Sequence, residues 1–266
     1  MSIAGPFAAL LKRDRAIIFL ALGGATALSW VYLVRMARDM AAQVCTMPGM
    51  EGMYMGAVPV WNAPYFVMMI VMWTVMMVGM MLPSAAPTIL LYATMHRNSG
   101  RTPYMSTAGF VAGYLVVWTL FSMAAVLAQW GLDSVALLSP AMVSTSPYFG
   151  AGLLAAAGVY QLTPWKNACL SHCRGPFAFF QQHWRTGRLG AFRMGARHGA
   201  YCLACCWALM LLLFFGGVMN LVWVGAITVF VLLEKAAPFG RPASKVVGAL
   251  MIILAAAVLV TRRQFF

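Results

Sequence analysis

The chain has 266 residues, of which 63% are hydrophobic and only 9% are charged, and its formal net charge is +13. A soluble domain carries roughly 25% charged residues, so the composition excludes an ordinary soluble protein and indicates a polytopic membrane protein. Because Lys and Arg collect in the cytoplasmic loops of membrane proteins, the positive charge does not indicate nucleic-acid binding.

Hydropathy predicts an all-α transmembrane bundle in a single domain, residues 1–266, with about seven spans, or six if a short one is re-entrant. The predicted spans are residues 16–34, 64–82, 105–127, 148–162, 201–216, 218–233 and 246–261. We expect Pro83 and Pro87 to interrupt or kink the second span. A methionine-rich outer loop is predicted at 35–63 and a basic cytoplasmic loop at 164–199.

Within the basic loop, an interfacial helix is predicted from Pro176 to Arg185. Four of its aromatic side chains would lie in the headgroup region, namely Phe177, Phe179, Phe180 and Trp184. With the N-terminus inside, fourteen of the 18 Lys and Arg residues fall on the cytoplasmic side. This distribution predicts a multi-pass protein of the bacterial inner membrane with a cytoplasmic N-terminus.

Five of the six cysteines lie between Leu162 and Asn220, in two groups with helical spacing. The groups are Cys169, His172 and Cys173, and then Cys202, Cys205 and Cys206. Residues three and four apart share a face of a helix, so the two faces together would offer thiolates and an imidazole to one soft metal ion. Cu(I), and less readily Zn, suits such ligands. The alternative is that these cysteines are small packing residues. On the reducing side of the membrane they would be thiols or metal ligands, not disulfides.

The methionines form two groups. The outer loop contains CTMPGMEGMYM, which resembles the methionine-rich segments of copper importers and periplasmic copper carriers. Its candidate Cu(I) ligands are Cys45, Met47, Met50, Met53 and Met55. In span two, methionines recur in four-residue steps at Met68, Met72, Met76 and Met80. Thioethers select Cu(I), so Met72, Met76 and Met80 are candidate ligands, although methionine is also common packing material.

The chain has only five acidic residues, too few for a paired-carboxylate hydrolase, and no nucleotide-binding or hydrolase motif is present. We therefore expect no enzymatic activity. Glu234 closes span six, and an intramembrane acid is a functional candidate; the alternative is an interfacial pair with Lys235. His96, His183 and His198 are interpreted as interfacial side chains, with His198 the strongest ligand candidate of the three.

Four motifs in this order resemble a bacterial family of unknown function described as predicted metal-binding integral membrane proteins. They are WTVMMVGMMLPSAAPTILLY, YQLTPWKNACLSHCRGP, YCLACCWALMLLLFFGGVMNLVW and LLEKAAPFG, within roughly residues 64–250. The resemblance implies metal binding within a membrane bundle. Carried over to this sequence, it points to Met76, Met77, Met80, Met81, Pro83, Cys169, Cys173, Cys202, Cys205, Cys206 and Glu234.

Together these patterns predict a copper-handling membrane protein. Cu(I) would be collected by the outer loop, passed along span two and held by the cysteines, for transport or for delivery to a membrane cuproenzyme. The expected partners are the lipid bilayer, a membrane cuproenzyme or copper chaperone, and an oligomer or hetero-complex. Two alternatives stay open: an accessory subunit of a membrane oxidase or monooxygenase with structural cysteines, and a membrane thiol redox protein.

Overall fold

The computed structural model describes residues 4–44, 61–98, 102–139 and 142–262. The predicted all-α class is confirmed, since the described residues fold into ten consecutive helical segments. These are α1 (Ala4–Val44), α2 (Ala63–Asn98), α3 (Tyr104–Ser134), α4 (Pro147–Leu162), α5 (Pro164–Arg174), α6 (Pro176–His183), α7 (Gly187–Leu211), α8 (Leu213–Gly216), α9 (Leu221–Ala236) and α10 (Gly240–Arg262).

Five stretches of the described helices are long and apolar enough to cross a membrane. They are Lys12–Met40, Ala63–Arg97, Tyr104–Ser134, Gly187–Gly216 and Gly240–Thr261. The predicted fourth and sixth spans are present as α4 and α9, but each has only 16 residues. A membrane crossing needs about 20 apolar residues, so a count of seven spans stays a prediction.

Several predicted boundaries were wrong. Residues 35–44 belong to α1 rather than to the outer loop, and most of the predicted basic loop 164–199 is helical, as α5, α6 and the first turns of α7. The helix of span five therefore begins at Gly187, well before residue 201. In the short α6, Phe179 and Phe180 are buried inside the protein, whereas Phe177 and Trp184, the residue after α6, are exposed.

The two prolines of α2 do not interrupt it, because the helix continues from Ala63 to Asn98 through Pro83 and Pro87. Proline has no N–H to donate to the carbonyl four residues earlier, which for Pro83 is the carbonyl of Gly79. The Trp30 indole of α1 donates to that oxygen at 3.3 Å. A side chain from a neighbouring helix thus replaces the missing backbone donor.

The cysteine-bearing helix α7 packs closely on α3. A Cβ atom at Gly113 or at Gly195 would overlap the backbone of Phe192 or Phe110, respectively. Small residues allow such close approach of membrane helices. The contact turns one face of α7 into the interior, towards α2 and α3.

The outer surface of the bundle is rich in large apolar side chains. Exposed examples from different helices are Leu20, Leu28, Leu120, Val222 and Ile253. Soluble monomers rarely expose large apolar patches. The outer surface therefore matches the membrane setting that the five long helices indicate.

Candidate metal site

The three cysteines of α7 lie on its buried face. Cys202, Cys205 and Cys206 are each about 1% exposed. The thiols of Cys205 and Cys206 both donate to the carbonyl oxygen of Cys202, at 3.1 and 2.8 Å. The five cysteines in the described residues are free thiols, so all are available as soft ligands.

The short helix α5 brings a fourth thiol to this face. Cys173 lies beside Cys205 of α7. Its interaction with Cys205 favours the protonated thiol and, together with burial, raises the pKa of Cys173 well above its ordinary value. Cys169, one turn earlier, is half-buried, and burial followed by the charge of Cys205 raises its pKa as well. The two cysteine groups therefore meet, through Cys173 and Cys205.

His172 does not join the thiols. Its ring stacks on Tyr201, with centroids 4.3 Å apart and planes 10° from parallel. Its Nδ1 donates to the carbonyl of Ala168 at 3.0 Å. The structure thus places this candidate ligand against an aromatic ring.

The methionine of α2 that reaches the thiols is Met81. Its Sδ lies 4.0 Å from the Cys206 Sγ. Met72, Met76 and Met80, the candidates of the four-residue pattern, are fully buried on the same helix, whereas Met68 is exposed. The stripe therefore turns into the core after its first member and runs towards Met81.

Two further side chains complete the surroundings of Cys202. Lys235 of α9 places its Nζ 2.9 Å from the Cys202 Sγ and 3.1 Å from the Ser84 Oγ. The Tyr114 hydroxyl lies 3.1 Å from the same sulfur and donates to the carbonyl of Met81. An ammonium group beside a sulfur stabilises negative charge on it. Sequence reasoning missed both residues as site members, because α3 and α9 meet α7 only in the fold.

Glu234 pairs with Lys166 of α5 rather than with Lys235. The Lys166 Nζ lies 2.5 Å from the Glu234 Oε1, and both side chains are at most 2% exposed. Arg174, at the other end of α5, donates to the carbonyls of Glu234 and Ala237. Two basic residues thus fasten α5 to the end of α9, which holds Cys173 over α7.

His198 is buried, contrary to the prediction of an interfacial side chain. It is 2% exposed and lies one helical turn before Cys202. Its Nδ1 has no hydrogen-bond partner among the described residues. Buried polar atoms are rarely left unsatisfied, so this nitrogen is a further donor atom near the thiols.

The outer-loop candidates Cys45, Met47, Met50, Met53 and Met55 lie outside the described residues. Within the described part of the chain, no three His, Cys, Asp or Glu side chains converge as ligands of one metal ion. The described thiols instead lie side by side on α7 and α5, with the thioether of Met81 next to Cys206. We call Met81, Cys173, Cys202, Cys205 and Cys206 the sulfur cluster.

The chain matches a known protein family. The family model PpoB2, described as a copper chaperone, matches residues 70–258. This range includes every member of the sulfur cluster together with Tyr114, Lys166, Glu234 and Lys235. No curated protein and no solved structure matches the chain.

Proposed function

Because the chain belongs to the PpoB2 family of copper chaperones, we propose that it is a membrane-embedded chaperone that holds Cu(I) at the sulfur cluster. The cargo would be bound by thiols of α7 and by the thioether of Met81. Cys173 would close the site from the side of α5.

The contact between Met81 and Cys206 carries the proposal. Metal–thiolate bonds are about 2.3 Å long for a comparable ion such as zinc, so two sulfurs on opposite sides of one ion are at most about 4.6 Å apart. The observed separation of 4.0 Å therefore suits one ion held between the two helices. Thiols and thioethers together select Cu(I) over harder ions.

The balance of charge at the sulfur cluster also supports Cu(I) binding there. Two thiolates and one Cu(I) ion carry a net charge of −1, which is costly to bury alone. The Lys235 ammonium, 2.9 Å from the Cys202 Sγ, balances that charge. Tyr114 directs its proton to the Met81 carbonyl, so Lys235 is the donor that remains for the Cys202 sulfur.

The route to the sulfur cluster would follow α2. Met72, Met76 and Met80 are buried between the Ala63 end of the helix and Met81. We propose that the methionine-rich segment before α2 loads this stripe from outside, with the N-terminus in the cytoplasm. A cysteine introduced at Ser99 should then resist an impermeant maleimide added to intact cells. Rapid labelling would show that this residue faces the outside and would contradict the proposed orientation.

An experiment on proteoliposomes distinguishes a protein that holds copper from one that transports copper. The full chain is reconstituted with a membrane-impermeant Cu(I) chelator in the lumen, and Cu(I) is supplied outside under reducing conditions. A chaperone keeps copper on the protein, in an amount proportional to the number of chains. Lumenal copper that grows over many turnovers, and depends on the chain, would instead make the protein a transporter and contradict the proposal.

A further inference from the structure

A second cluster of chemically active side chains lies apart from the sulfur cluster, where α6 ends and α7 begins. A cavity of about 290 Å³ there is lined by His183, Arg185, Arg193, Met194 and Arg197. Three guanidinium groups and an imidazole thus surround one small space. Such a concentration of positive charge attracts an anion.

Two neighbouring parts of the chain, the first turns of α7 and the segment before it, line the cavity. Arg193 and Arg197 are four residues apart on α7 and therefore share a face. The segment before α7 lies close against that helix because Gly190 has no side chain; a Cβ there would come within 3.0 Å of Arg185 atoms. The Arg185 backbone N–H also contacts the buried Met194 Sδ at 3.3 Å. These contacts hold Arg185 at the rim opposite the two helical arginines.

The imidazole of His183 is oriented by α6. Its Nδ1 donates to the carbonyl of Phe179 at 3.0 Å, and its ring stacks on the ring of Phe179. With Nδ1 occupied by the backbone, Nε2 is left for another partner. The imidazole therefore adds a second kind of polar group to the arginine cavity.

The charge of this cavity is not balanced within the part of the chain that the structure describes. The two ion pairs among the described residues join Asp14 to Arg97 and Glu234 to Lys166, and neither includes an arginine of the cavity. Asp133 accepts a hydrogen bond from Trp61 instead. The three guanidinium groups thus have no carboxylate among the described residues. Guanidinium forks bind phosphate oxygens in a bidentate manner, which makes phosphate the best matching anion.

Exposed apolar side chains lie near the cavity-lining residues along the chain. Trp184 follows His183, Leu189 lies in the first turn of α7, and Phe177 lies on α6; they are 37%, 60% and 58% exposed, and the membrane-length stretch begins at Gly187. Trp is enriched at the membrane interface, and basic pockets at that depth bind the headgroups of anionic lipids. We propose that this cavity binds the phosphate of an anionic phospholipid whose acyl chains lie along the exposed side chains.

The test uses the delipidated full-length protein in detergent, with lipid binding measured by native mass spectrometry. Phosphatidylglycerol and phosphatidylcholine are added at equal concentrations, and inorganic phosphate is tested separately. The variant R185Q/R193Q/R197Q removes the three guanidinium groups. The matched control R188Q/R241Q/K245Q makes the same change of charge at exposed residues outside the cavity lining.

We expect the wild type to prefer phosphatidylglycerol, and the cavity variant to lose about tenfold in that binding, while the control stays within about twofold of the wild type. The three substituted arginines are exposed, so helix content and copper binding should be unchanged. Equal losses of phosphatidylglycerol binding in both variants would show that only the general surface charge matters and would overturn the proposal. Arginine-dependent binding of inorganic phosphate, without a preference for phosphatidylglycerol, would identify a soluble anion and overturn the lipid assignment.

Discussion

The buried ion pair between Lys166 and Glu234 gives a prediction whose size follows from the structure. The two charged atoms are 2.5 Å apart and both side chains are at most 2% exposed. Removing one partner of such a pair costs about 3–5 kcal/mol, because the other charge stays buried without compensation. We therefore expect Lys166→Met to destabilise the protein by about that amount, and K166M/E234Q to recover part of the loss because the uncompensated carboxylate is gone.

The loss should be concentrated on α5, since the pair fastens that helix to α9. A local cost of about 3 kcal/mol raises the open population about a hundredfold, and opening exposes Cys173. Maleimide labelling of Cys173, with the other five cysteines of the sequence replaced by alanine, reports this population; denaturation in mixed micelles reports global stability. Lys245→Met on α10 is the control, because Lys245 is exposed. If K166M labels and unfolds like the control, the pair does not hold α5 in place.

Three further predictions concern the thioethers and the α5 thiol. Met81→Leu should weaken Cu(I) binding about tenfold or more, by loss of a soft ligand, whereas Met77→Leu should not; equal effects in a competition titration would mean that Met81 only packs. Replacing the four methionines between residues 47 and 55 by leucine should slow copper loading and leave the bound amount unchanged; an unchanged loading rate would remove the outer segment from the route. Because the pKa of Cys173 is raised, its alkylation at pH 7 should be slower than that of a cysteine introduced at Ser171 and should rise as the pH increases; equal rates measured by mass spectrometry would contradict the raised pKa.

The local part of the site was predictable from the sequence. Helical spacing places Cys202, Cys205 and Cys206 on one face because the periodicity is a property of the helix itself. The meeting of the two cysteine groups could be expected only as a hypothesis, since it depends on how α5 docks. Lys166 and Arg174, which fasten α5, carry no signal in the sequence beyond being basic residues in a predicted loop.

The contributions of distant helices were not predictable. Tyr114 reaches Cys202 because the glycine contacts of α3 and α7 bring these two helices close together. Lys235 reaches the same sulfur from α9, and neither contact is apparent before the helices are paired. Of the two outcomes predicted for Pro83, interruption of α2 does not occur, because the donor that replaces its missing N–H comes from Trp30 of α1; a kink stays a prediction. Hydropathy predicted the lengths of α4 and α9 to within one residue, although α9 begins three residues later than predicted, after its cap Asn220. It underestimated the long helices, since α1 and α7 extend into polar and basic residues that hydropathy does not mark as helical.

In the proposed function, sulfur atoms of α2 and α7 hold the copper ion, and a Cu(I) titration of the purified chain distinguishes this binding from simple packing. The competitor is a Cu(I) chelator, and the key variant is C202S/C205S/C206S. Cys169→Ser is the matched control, because this thiol lies on α5 outside the sulfur cluster. We predict that the triple variant loses the tightest copper equivalent while the control retains it. A triple variant that binds copper as tightly as the wild type would show that the α7 cysteines are packing residues.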